Sequence, residues 1–248
     1  MNALKGMLLT WAPFHWRFPS ASRAMTYEVD RRIAVDRDRG FIYFRIPKAA
    51  NSTVTATLFP SDQAEVAPDE AKRAFVRASD LSRREVAELT QRFFLFTVVR
   101  NPYVRLASAY LHKIKNGIKA RHQVLESFRC ANPDEVSFAE FCRFIAEGGR
   151  NLNPHWYRQV DLIPCGVERL HFVGRVESLA EDMASITARI GGGVRGKMRN
   201  ITVHGTGASE KLRELYSPET VAIVRESYAA DFAKFGYRTE PEWIKGLR

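Results

Sequence analysis

Lys48, Ser52 and Thr53 stand close together directly after the apolar run Phe41-Ile42-Tyr43-Phe44-Arg45-Ile46 and the strand-stopping Pro47. A lysine, two hydroxyls and the backbone N–H groups of Ala49, Ala50 and Asn51 at a strand-to-helix corner are the groups that hold a phosphate-like anion. Ser52 and Thr53 are expected to supply capping oxygens ahead of a helix over Val54 to Leu58. The loop has no glycine, so it lacks the Gly-Lys-Ser/Thr of nucleoside triphosphatases, and ATP or GTP held in that form is not expected. Taken alone, such a corner is also compatible with an ordinary surface turn.

A second segment makes it half of a site. Phe93 to Val99 is a continuous apolar run, as in a strand buried on both faces, and it leads into Arg100-Asn101-Pro102. Pro102 suits the first turn of a helix on which Leu106, Tyr110 and Ile114 share a face and Ser108 falls about two turns beyond Arg100. Arg100 can grip a phosphate with two N–H groups, and Ser108 can add a hydroxyl. Two anion grips on adjacent strand ends suggest one ligand with two phosphate-like groups.

The elements that must position them form an α/β pattern. Arg32 to Val35, the polar turn 36–40 and the strand Phe41 to Ile46 read as a hairpin. Ser82 to Arg92 reads as a helix with Ser82 and Glu85 in capping-box spacing. Arg169 to Val173 supplies a third strand, and a helix over Ser178 to Ile190 stops at Gly191-Gly192-Gly193. The expected architecture is a three-layer α/β fold, a central parallel sheet flanked by helices, with ligands at the carboxyl ends of the strands. One domain over residues 30–240 follows an amphiphilic segment, 1–29, and precedes a tail, 241–248. Residues 115–153 are the expected acceptor-binding insertion. The stretch Gly191 to Gly207, with Arg195, Lys197 and Arg199, is expected to close over the ligand.

Lysine and arginine outnumber acids by 38 to 28 in the 248 residues, a formal charge of +10 that favours anionic partners. Basic residues interleaved with stacking aromatics, or a groove-entering motif, are missing, so nucleic acid is not the expected partner. Cys130, Cys142 and Cys165 are an odd, irregular set that suits neither a disulfide framework nor zinc; Cys142 is expected to be buried. No metal site is expected. No stretch is apolar for long enough to span a bilayer, which points to a cytoplasmic protein. Leu4, Met7, Leu8, Leu9, Trp11, Phe14, Trp16 and Phe18 crowd into residues 1–19, and two readings stand: a helix packed on the domain, or shallow peripheral contact with a membrane.

The two grips resemble the 5′-phosphosulfate loop and 3′-phosphate motif of carbohydrate sulfotransferases that use 3′-phosphoadenosine 5′-phosphosulfate (PAPS), related to the chondroitin, dermatan and heparan sulfate enzymes. Asn153-Pro154-His155-Trp156-Tyr157-Arg158-Gln159 is similar to the family's His-Trp segment, Phe172-Val173-Gly174-Arg175-Val176-Glu177-Ser178-Leu179 to its third strand and following helix, and Tyr228 to Tyr237 to its closing helix. The resemblance runs in order over about residues 30 to 238. Ala49-Ala50-Asn51 departs from it, because many Golgi relatives carry valine, glycine and cysteine there.

The resemblance implies a P-loop-like sulfotransferase fold and transfer of the sulfuryl group from PAPS to a hydroxyl of a polysaccharide, oligosaccharide or glycolipid. It assigns Lys48 and residues Ala49, Ala50, Asn51, Ser52 and Thr53 to the 5′-phosphosulfate, and Arg100 and Ser108 to the 3′-phosphate. Arg175 is a further candidate nucleotide contact. His155 is the candidate general base, with His112 and Glu177 as rivals, and no metal is implied. Sulfation of a small alcohol or lipid, and binding of the product nucleotide (PAP) or polyanions without turnover, are the alternatives.

Overall fold

The computed structural model describes residues 2–59, 68–127, 135–191, 211–240 and 243. They fall into two compact units, Met1–Val99 with Gln159–Val203, and Arg100–Arg158 with His204–Arg248. The architecture is mixed α/β with a mainly parallel sheet.

The first unit opens with three short helices, α1 (Asn2–Leu9), α2 (Pro13–Arg17) and α3 (Arg23–Asp30). β1 (Ile33–Asp36) and β2 (Phe41–Phe44) then form the antiparallel hairpin, turning at Gly40 with φ 65°. β3 (Phe94–Val99) and β4 (Phe172–Arg175) join in parallel, giving the order β1-β2-β3-β4. The apolar runs are continuous because the central strands are covered on both faces. On one of these faces Phe41, Tyr43, Phe96 and Val98 pack with Val54 and Leu58 of α4 (Asn51–Leu58) and with Met183 and Ile186 of the helix Leu179–Ile190. Tyr43 and Phe96 stack at 4.9 Å across the β2–β3 pair.

The second unit is helical. Its core joins Tyr103, Leu106 and Tyr110 to Phe138, Phe141, Trp156, Val224, Tyr228 and Phe232. The helix Phe138–Ala146 starts on a Ser137/Glu140 capping box and buries one apolar face, including Cys142. Residues 115–153 therefore contribute core to this unit through Val124, Val136 and that helix.

Several boundaries move. Pairing in β2 ends at Phe44, two residues short of the expected Ile46; only Arg45 N–H reaches on, to Arg32 O, and Pro47 has no N–H to offer. The third strand begins at Phe172 instead of Arg169, because Val167–Arg169 is wound into a 3₁₀ turn. The Ser82/Glu85 capping box forms as expected, but its helix ends at Ala87 and a second begins at Leu89 after a step at Glu88. The helix to Ile190 does stop at Gly191, φ 68°. Cys130 and the basic loop with Arg195, Lys197 and Arg199 lie outside the described residues.

Candidate functional site

In the first unit the corner between β2 and α4 is built without glycine yet takes glycine-like backbone angles. Lys48 has φ 69° and Ala50 φ 52°, the two non-glycine residues with positive φ among those described. A left-handed backbone costs an L-residue about 1–2 kcal/mol, so the surrounding fold must hold it. Ile46 O accepts the Ala49 N–H, Ala49 is buried, and Pro47 is fixed in φ. Ala50 adopts a backbone conformation that glycine takes without a steric cost.

Ala50 is also the N-cap of α4, and it has no side-chain oxygen to cap with. The helix begins at Asn51, so the expected capping role of Ser52 and Thr53 is corrected: both lie inside its first turn. The first-turn N–H groups of Asn51, Ser52 and Thr53 have no carbonyl four residues back within the helix. Alternating backbone of this kind turns successive N–H groups toward one concavity, which suits an anion. Deeper in α4 the hydroxyls turn inward: Thr55 donates to Asn51 O at 2.6 Å and Thr57 to Thr53 O at 2.8 Å.

The parallel pairing of β2, β3 and β4 puts their carboxyl ends on one edge of the sheet, so the Lys48 corner and Arg175 share that edge. Arg175, opposite Val99 in the register, is anchored by its backbone N–H, which donates to Asp182 Oδ2 at 2.7 Å. The same oxygen accepts the Ser178 hydroxyl at 2.8 Å. Asp182 thus ties the end of β4 to the first turn of the following helix. Glu177, one rival for the base, is exposed.

In the second unit Arg100 is bonded directly to Val99. Asn101 caps the next helix through its side-chain oxygen, which accepts the Tyr103 N–H at 3.0 Å, and Pro102 takes the first position as expected. Ser108 is buried in this helix, Pro102–Ala109. The helix continues as a π-helical turn, Tyr110–Lys115, where His112 is half-buried and not on an open face.

His155 sits in a turn pinned from several sides. Buried Arg105 donates from Nη1 to Tyr157 O at 2.7 Å and from Nη2 to Pro154 O at 3.4 Å. Trp156 donates from Nε1 to Gly149 O at 2.9 Å, and the Tyr228 hydroxyl donates to Trp156 O at 2.7 Å. Gly149 is obligatory, since a Cβ there would fall 2.4 Å from the Phe144 ring. Asn153 Oδ1 accepts both the His155 backbone N–H at 3.1 Å and the His155 Nδ1 hydrogen at 2.8 Å. A backbone amide can only donate, which identifies that atom as oxygen. Nδ1 therefore carries the proton, and in the neutral ring Nε2 is left with its lone pair, the state a general base requires.

The two thiols among the described residues, Cys142 and Cys165, are both buried. Burial pushes Cys165 up to about 12 and Cys142 higher still. Among the described residues no group of three or more His, Cys, Asp or Glu could hold a metal ion. Sequence reasoning missed Arg105, Asp182 and Asn153. Only Asn153 left a signal, as an asparagine before proline at the start of a turn.

A family model described as the sulfotransferase family matches residues 31–238. Carbohydrate sulfotransferase 14 of Danio rerio is 27% identical over 84% of this chain and 62% of its own length. Its human counterpart is 31% identical over 67% of this chain and 48% of its own. Carbohydrate sulfotransferase 11 of Rattus norvegicus is 25% identical over 90% and 71%. The chain thus spans about half to three fifths of the length of the first two relatives. No solved structure matches it.

Proposed function

The chain belongs to the sulfotransferase family, and from that premise we propose that it transfers the sulfuryl group of PAPS to a hydroxyl of a carbohydrate, on a three-layer, P-loop-like scaffold. The reading is carried by the corner at Lys48 and Ala50, where paired left-handed residues open onto a helix start without a side-chain cap.

The N–H groups of residues 49–53, with the Ser52 and Thr53 hydroxyls, bind the 5′-phosphosulfate. Arg100 and Ser108 bind the 3′-phosphate, and Arg175 is a further nucleotide contact. In the reaction the acceptor oxygen forms a bond to sulfur while the bond from sulfur to the 5′-phosphate oxygen breaks, and the electron pair leaves with the phosphate. Lys48 stabilises the charge growing on that oxygen. His155 Nε2 takes the acceptor's proton. The carbohydrate acceptor rests on the relatives, which are named carbohydrate sulfotransferases.

The test is incubation with PAPS and a panel of saccharides, phenols and small alcohols, read by mass spectrometry, beside thermal shifts with PAP and AMP. Transfer to a saccharide is expected, with PAP stabilising the protein by about 2.7 kcal/mol at one hundred times its dissociation constant. Arg100→Ala should abolish the preference for PAP. Equal response to PAP and AMP would sink the donor assignment, and transfer to phenols alone would sink the acceptor.

A further inference from the structure

Helix α1 is packed the wrong way round for a helix whose job is to cover a core. Gly6 is buried against α3, so closely that a Cβ there would fall 1.8 Å from Arg23 O. The large apolar residues point outward: Leu4 is 70% exposed, Leu8 74% and Trp11 79%, with Met7 partly exposed beside them. At about 100° per residue these four fall on one stripe and Gly6 on the opposite side. Trp16, at 72% exposure, extends the apolar surface beyond α1. Between the two tryptophans lies a groove of about 540 Å³ lined also by Pro13, Arg17, Arg83 and Val86. A folded domain has no reason to bury a glycine and expose leucines unless the exposed stripe meets another apolar phase.

Charge selects the occupant. Residues 1–27 contain Lys5, Arg17 and Arg23 and no carboxylate. All three are exposed, as is Arg83 at the groove. Exposed leucines, tryptophans whose rings prefer the headgroup level, and a one-signed basic fringe together match the surface of an anionic bilayer. No helix among the described residues is long and apolar enough to cross a membrane. We propose that α1 and the Trp11–Trp16 turn form a peripheral docking surface for anionic phospholipid, lying in the interface plane with Leu4, Leu8, Trp11 and Trp16 inserted. The proposal stands on this surface alone and is independent of the sulfotransferase chemistry.

The full chain is sedimented with vesicles of phosphatidylcholine, with and without about one third phosphatidylserine, in low and high salt. Binding to the anionic vesicles is expected, together with a blue shift of tryptophan emission that disappears in Trp11→Phe/Trp16→Phe, while in a separate Trp11→Ala/Trp16→Ala variant binding itself should fall. Leu8→Glu should weaken binding at least tenfold, since a buried leucine contributes about that factor or more. Removing Arg17 or Arg23 should cost about fivefold each at low salt. All these side chains are exposed, and unchanged far-ultraviolet circular dichroism confirms that the variants fold. Binding that Leu8→Glu leaves intact, or that occurs without an emission shift, overturns the proposal. So does self-association that Leu8→Glu abolishes in a protein that ignores vesicles, because the occupant would then be a second copy.

Discussion

Asn153 Oδ1 bridges the backbone N–H and the ring Nδ1 of His155, at 3.1 and 2.8 Å. One acceptor with two donors from the same residue sets both the ring's orientation and its tautomer. Asn153→Ala should therefore lower kcat by about 10- to 100-fold, the range for partners that orient a functional histidine, with little change in KM for PAPS. Asn153→Asp is more discriminating. A carboxylate beside Nδ1 favours the imidazolium, so the acid limb of the rate profile should move to higher pH by about one unit. An unmoved profile in Asn153→Asp would remove His155 from the role of base.

Lys48 is half-buried at the corner after β2. In the role proposed for it, facing the leaving phosphate, its charge should matter more in the transition state than in the ground state. Lys48→Ala is expected to reduce kcat by about 10²- to 10³-fold while PAP still stabilises the folded protein. Loss of PAP binding with kcat preserved at saturation would mean that Lys48 only binds.

Ala50 holds a left-handed backbone that costs it about 1–2 kcal/mol, whereas glycine at the same place gives back about 0.5–1 kcal/mol of that through its more flexible unfolded chain. Ala50→Gly should thus stabilise the protein by about 0.5–1 kcal/mol, measured by urea unfolding, with activity retained. Destabilisation would show that the Ala50 methyl is worth more in packing than its backbone costs.

How much of this was legible in the sequence follows from which interactions are local. The β2 hairpin, the Pro102 helix start and the Ser82/Glu85 box depend on neighbours a few residues apart, and all three could be read directly. The left-handed angles at Lys48 and Ala50 could not, because alanine and lysine carry no signal for a backbone that only the surrounding fold imposes. The Arg105 contact with the 154–157 turn is likewise invisible in one dimension, since its partners are backbone carbonyls, which every residue has.

Arg105 is buried and donates to Tyr157 O and Pro154 O. Truncating it leaves two carbonyls without a charged donor and a gap beside Trp156's turn. Arg105→Ala should destabilise by about 3 kcal/mol. Its effect on kcat should exceed its effect on PAP binding, since the turn holds His155. Unfolding energy unchanged in the variant would show the turn to be held by Trp156 and Tyr228 alone.

Glu85 ties the start of its helix to Arg37 in the turn between β1 and β2. Its carboxylate accepts Arg37 Nε at 2.7 Å and the Ser82 N–H at 2.7 Å. The bond from Arg37, with that of the capping box, holds the carboxyl down to about 2. A group whose folded value lies below its unfolded one binds fewer protons in the native state. Its stabilisation is complete above the ordinary value of 4.5 and is lost as pH falls toward 2. With Arg37 40% exposed, solvent screens part of the pair, and a contribution of about 1–2 kcal/mol is expected. Glu85→Gln should therefore unfold at lower urea than the parent at pH 7, and the two midpoints should converge as the pH approaches 2. A gap that persisted undiminished at that pH would mean that Glu85 acts through packing and not through its charge.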